Sequence, residues 1–217
     1  MSADQRHRHN PIPAEAPADG FSRTLIYFPI VHTQADMGAL KESVTRATLE
    51  KVGRAGLARK TAAIDRIWTE IEAAIDALAL SFDRVRLYQD GLPVCGREAE
   101  IVTELALAGS RNHQLLLRLM AQGAVLMGTE SADLLVQEYQ LARQSLATRA
   151  PRAAGVAATR RALSQALLQR RDHFMAQRIN ETLKSGATGI LFLGMLHSVE
   201  RYLNPDVKVI YPLQRSR

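Results

Sequence analysis

Leu25-Ile26-Tyr27-Phe28-Pro29-Ile30-Val31 is an apolar run that ends on His32-Thr33, and Gly189-Ile190-Leu191-Phe192-Leu193-Gly194-Met195-Leu196 ends in the same way on His197-Ser198. Seven or eight apolar residues bounded by polar ones predict a strand buried on both faces. Strands of that kind belong to parallel sheets covered by helices, and such sheets hold ligands beyond the carboxyl ends of their strands. Histidines at the exits of the first and the penultimate strands therefore point to one site closed by both ends of the chain.

The segments between these runs fill in a layered pattern. The first strand is expected at Thr24–Val31, and Met37 to Leu80 follows with helical periodicity. There Ile64, Ile67, Trp68, Ile71, Ile75 and Leu78 recur at three- and four-residue steps and share one helix face. Gly53 and Gly56 are expected to break that segment into a shorter helix and a longer one. Arg84–Tyr88 reads as a second strand running into the turn Gln89-Asp90-Gly91-Leu92-Pro93. Helices are expected over Glu98–Ala108 and Asn112–Gln122, then a brief strand at Ala124–Met127 and a helix capped by Ser131. Thr159–Lys184 reads as one long helix stopped by Ser185-Gly186. Strands at Ile190–Leu193 and Val207–Tyr211 close the order, with a helical piece near Val199–Leu203 between them. Long helices alternating with short apolar strands predict a single α/β layered domain over residues 21–217, with a mainly parallel sheet of about five strands.

Bulk properties narrow the function classes. The 217 residues are 47% hydrophobic and 23% charged, as in an ordinary globular domain. No apolar stretch reaches the 18–20 or so residues that span a bilayer, which argues against a membrane role. Met1–Gly20 is polar, rich in Pro, Ala and His, and reads as a disordered tail rather than a signal peptide. Cys95 is the only cysteine, so neither a disulfide nor a cysteine metal cluster is available, and a cytoplasmic address is expected. The formal charge is +6, and Tyr139 to Arg171 carries seven arginines without an acid. That run lacks interleaved aromatics and any nucleic-acid motif, so a solvated helix face is expected and nucleic acid is not.

The polar groups after the strands supply the chemistry. His32 and Asp36 follow the first strand, Asp90 the second, Glu130 the third and His197 the fourth. In a parallel sheet these share one edge. Imidazoles and carboxylates together can ligate a divalent ion, with His32, His197 and Glu130 as the expected ligands. They can equally divide the acid and base roles that activate a water. Each residue also has an ordinary structural reading. Asp36 is expected to cap the helix near Met37, Asp90 to bond its own turn, and Glu130 to face a helix dipole. His113 is expected at the surface or rim, His173 in packing, and His7 and His9 in the tail. Arg171 and Asp172 read as a surface charge pair unless their helix points at the strand exits. In that case Arg171 is placed to hold an anionic group.

Three segments carry a family pattern: Ile30-Val31-His32-Thr33, then Arg171-Asp172-His173-Phe174-Met175-Ala176-Gln177-Arg178-Ile179, then Gly189 to His197 ending in Gly194-Met195-Leu196-His197. In order and rough spacing they resemble the superfamily of erythromycin esterase-like, ChaN-like and TraB/PrgY/Tiki-like proteins. That resemblance implies an α/β fold and implicates His32, Arg171 and His197, with Glu130 or Asp90 as the acidic member. It covers metal-dependent or water-activating hydrolases as well as binding proteins. Ile30-Val31 stands where the esterase-like branch commonly carries Gly-Glu before its histidine, so that glutamate has no counterpart here.

The expected function is a hydrolase-like enzyme acting on a small-molecule substrate. His32 and His197, with Glu130 or Asp90, would activate a water directly or through a divalent metal ion. Arg171 would stabilise the charge that develops. The alternatives are a non-catalytic binder of a small ligand or anion in the same pocket, and a partner-binding protein using the basic helix.

Overall fold

In the computed structural model of the chain, residues 22–32, 41–147 and 154–213 are described. Five strands, β1 (Arg23–Ile30), β2 (Val85–Gln89), β3 (Val125–Met127), β4 (Thr188–Gly194) and β5 (Val207–Ile210), form one sheet in the order β3-β2-β4-β1-β5. Every pairing is parallel. The helices are α1 (Lys41–Asp76), α2 (Glu98–Leu107), α3 (Arg111–Ala121), α4 (Ala132–Ala147) and α5 (Ala154–Thr182), with a 3-10 turn at Val199–Tyr202. The α/β fold read from the two apolar runs is the fold observed. Thr33, Asp36, the start of α1 near Met37, the tail and His7 and His9 lie outside the described residues.

Alternation along the strands divides the core into two layers. Ile26, Phe28, Ile30, Leu87, Ile190 and Phe192 face Trp68, Ile71 and Ile75 of α1 and Leu115, Leu116 and Leu119 of α3. Leu25, Tyr27, Tyr88, Leu191 and Leu193 face Met175, Ile179 and Leu183 of α5. Both faces are covered, and that is why β1 and β4 read as continuous apolar runs. Pro29 sits in a central strand at no cost to β5, whose pairing with β1 stops at Ile26. α1 is interrupted at Gly53, where φ is 67° and ψ 176°, while Gly56 stays helical. Among the described residues no helix is long and apolar enough to cross a membrane.

Arg23, at the start of β1, ties three elements together. Its guanidinium donates to the carbonyls of Asn180 (2.7 Å) and Leu183 (3.1 Å) at the end of α5, and pairs with Asp206 before β5. The Arg23 and Ser22 hydrogen bonds hold the Asp206 carboxyl down at about 2. This latch sets the amino edge of the sheet and hence the level at which the strands end opposite.

Candidate active site

The order β3-β2-β4-β1 brings the exits of four strands side by side on one edge. In this order β4, laid down late in the chain, falls between β1 and β2, and ligand sites in open α/β sheets lie at such crevices. In register, Ile30 stands opposite Gly194 and Gln89 opposite Phe192, so His32, Asp90 and His197 leave the sheet close together.

Local structure then aims each side chain. At the β4 exit the His197 N–H donates to the Gly194 carbonyl (3.1 Å), closing a tight turn over Gly194-Met195-Leu196-His197. The turn folds His197 back over the strand end and leaves Met195 and Leu196 exposed at its tip. The strand thus stops at Gly194, two residues short of the apolar run. The exits of β2 and β3 are joined by backbone bonds, Val94 N–H to the Glu130 carbonyl (2.8 Å) and Glu130 N–H to the Leu92 carbonyl (2.9 Å). That pairing carries Glu130 beside Asp90.

Asp90 is the hub. Its Oδ2 lies 2.9 Å from His32 Nε2 and accepts the Gly194 N–H at 2.9 Å, while Oδ1 accepts from Arg171 NH2 at 2.9 Å. A Cβ at Gly194 would lie 2.9 Å from Asp90 Oδ2, so a side chain there would force this contact to shift. Burial opposes the charge on Asp90, but the hydrogen bond and charge of His32, with the Arg171 guanidinium behind them, outweigh it. Its carboxyl is therefore held well below the usual carboxylate range. An ionised Asp90 only accepts, so His32 Nε2 carries the proton in that bond.

His197 faces the hub from the other side. Its Nδ1 is 2.5 Å from Asp172 Oδ1, and Asp172 Oδ2 accepts the Ser198 N–H at 3.0 Å. With Asp172 as a carboxylate, Nδ1 carries the proton and the lone pair lies on Nε2. That Nε2 is 3.8 Å from Asp90 Oδ2, too far for a direct hydrogen bond.

Arg171 underpins the cluster. Nε donates to Glu130 Oε2 (2.7 Å), NH2 to Glu130 Oε1 (2.5 Å) and Asp90, and NH1 to Glu138 Oε1 (2.5 Å). Burial works against its charge, but the hydrogen bonds and charges of these carboxylates hold it firmly protonated. Burial pushes the Glu130 carboxyl up, against the lowering pull of Arg171, and Asp90 adds to the rise. Arg171 and Asp172 are buried at 4% and 3% exposure. They stand one helical turn before Met175 and Ala176, in phase with the buried face of α5.

The chain matches no family model, no curated protein and no solved structure.

His32, Asp90, Glu130, Arg171 and His197 are thus brought together, in a pattern that differs from the expected one in four respects. Glu130 does not join the histidines as a ligand, because both its oxygens are taken by Arg171 and Oε1 also accepts the Gly91 N–H (3.0 Å). Among the described residues no group of three or more side chains is placed to hold a metal ion, so the His32, His197 and Glu130 set does not fit one. Arg171 faces carboxylates rather than an open anion position. The Arg171-Asp172 pair is interior, since each partner is matched by a charge or ring from another element instead of by its neighbour.

Asp172, the residue that orients His197, has no site role in the sequence reading, and the signal that could have given it one is the phase of α5. His113 is buried instead of at the rim, because the Ser110 side chain that caps α3 lies 2.6 Å from its Nδ1. His173 lies on the exposed flank of α5 with its ring edge-on to Tyr202.

Proposed function

We propose that this chain is a hydrolase in which His197, oriented by Asp172, is the general base that activates a water at the carboxyl edge of the sheet. The observation that carries the reading is the buried Asp172–His197 contact, which leaves Nε2 on the side of Asp90, 3.8 Å from its Oδ2. An imidazole held by a carboxylate is the arrangement that takes a proton from a weak nucleophile. The likeness of the histidine, Arg-Asp and Gly-x-x-His segments to the erythromycin esterase-like, ChaN-like and TraB/PrgY/Tiki-like superfamily supports it.

Nε2 takes a proton from water as the water oxygen bonds to the electrophilic carbon of an ester. The tetrahedral adduct then expels the alkoxide, which recovers that proton from Nε2, leaving acid and alcohol. His32, through Nε2–H to Asp90, holds the facing carboxylate in place. Asp90, Glu130 and Asp172 outnumber the cations among them, Arg171 and His32, so a neutral or cationic substrate suits the site and an anionic one does not. Anion binding through Arg171 is disfavoured for the same reason, as its donors serve three carboxylates.

The test compares p-nitrophenyl acetate and butyrate with p-nitrophenyl phosphate. Turnover of the neutral esters, lost in His197→Ala, supports the reading. No ester turnover, or turnover unchanged in that variant, overturns it.

A further inference from the structure

The flank of α5 next to the buried pair carries a second feature. Arg170, His173, Phe174 and Gln177 follow one another along α5 within two helical turns and line a cavity of about 540 Å³, with Leu134 of α4 and Tyr202 of the 3-10 turn across from them. It is a shallow groove, largely open to solvent, so a ligand held there keeps one face in water.

Its chemistry is the reverse of the site at the sheet edge. No acidic residue lines it, and Arg170 has no carboxylate partner among the described residues. Its only hydrogen bond there runs from NH1 to Gln137 Oε1 at 3.2 Å. Three aromatic rings stand in the wall, with His173 and Tyr202 edge to face at 5.4 Å between centroids. A guanidinium without a carboxylate, beside ring faces and a side-chain amide, complements a flat aromatic group bearing a negative charge.

We propose that this cavity is a binding site for a small aromatic anion, a carboxylate or sulfonate on a fused or single ring, separate from the histidine site. Arg170 takes the anionic group, and Phe174 and Tyr202 take the ring.

The proposal is tested on the full chain by fluorescence titration with 8-anilino-1-naphthalenesulfonate and with N-phenyl-1-naphthylamine, which has the same rings and no charge. The sulfonate is expected to saturate one site. Arg170→Gln should weaken it about tenfold or more, the worth of one charge-assisted hydrogen bond, while leaving the neutral dye within about twofold. Tyr202→Ala should weaken both dyes. Arg170 and Tyr202 are exposed, so both variants are expected to fold, which circular dichroism checks. Absence of saturable sulfonate binding, or sulfonate affinity unchanged in Arg170→Gln and Tyr202→Ala, overturns the proposal. Equal weakening of both dyes by Arg170→Gln overturns the assignment to anions.

Discussion

His197 Nδ1 and Asp172 Oδ1 meet at 2.5 Å, and both side chains are about 95% buried. The contact joins the β4 exit to α5 across 25 residues of chain and selects which nitrogen of the imidazole carries a proton.

Replacing Asp172 by asparagine keeps the shape and changes the tautomer. The amide offers an N–H to Nδ1, so the imidazole proton moves to Nε2 and the outward lone pair is lost. Ester turnover is expected to fall by about a thousandfold or more, as when a base is left in the wrong tautomer. Long-range 1H–15N spectra of the His197 ring check the cause directly. An Asp172→Asn protein with the wild-type ring pattern and full turnover would refute the assignment of Asp172 as the positioning residue.

Removing Arg171 tests the support beneath the hub. Arg171→Met deletes the buried cation that bonds both oxygens of Glu130 and one of Asp90, and leaves Glu130 without a charge partner, which costs about 3–5 kcal/mol. Arg171→Lys keeps a point charge but cannot bind Glu130 through two nitrogens and Asp90 and Glu138 at once, so an intermediate loss is expected. Urea unfolding of the three proteins should rank them wild type, Lys, Met.

The layered fold is legible because strands buried on both faces are apolar without alternation, and β1 and β4 are covered by α1, α3 and α5. Strand exits follow from strand ends, and that alone gathers His32, Asp90, Glu130 and His197 at one edge. Side-chain direction does not follow in the same way. Glu130 turns to Arg171, 41 positions along the chain, because α5 packs with Arg171 inward. Only the helix phase set by Met175, Ala176 and Ile179 carries that information, and a charge pair on a helix reads as a surface pair until the phase is applied. His113 reads as a rim residue for a related reason: its burial depends on Ser110 and on the docking of α2 against α3, not on the stripe of α3 alone.

Acid should loosen the site through Asp90. Its folded-state carboxyl titrates well below the unfolded value of about 3.9. The stability it contributes is therefore complete above the unfolded value and is lost as pH falls toward the folded one. Glu130, raised by burial, works in the opposite sense, losing stability as pH rises from about 4.3. Unfolding free energy measured from about pH 4 down to pH 2, below the range in which Glu130 responds, should drop in the wild type. In Asp90→Asn the drop should be shallower, and an equally steep drop there would assign the acid limb to other groups.

Gly194 gives the most local test, since its replacement by alanine changes no charge. Its N–H holds Asp90 Oδ2 at 2.9 Å, and a Cβ built on it lies 2.9 Å from that oxygen and 3.7 Å from His32 Nε2 and His197 Cδ2. Gly194 does not have positive φ, so alanine meets no backbone strain and acts through contact alone. Asp90 is held by Arg171 on its other oxygen, so any movement away from the new Cβ strains that pairing. Gly194→Ala is therefore expected to cost about 1–3 kcal/mol from overpacking. It should also pull Asp90 away from His32 and from the space before His197. Turnover should fall by more than the fraction unfolded explains, which parallel activity and unfolding curves on one preparation separate. Full activity in a destabilised Gly194→Ala protein would show that Asp90 needs no fixed distance from the histidines.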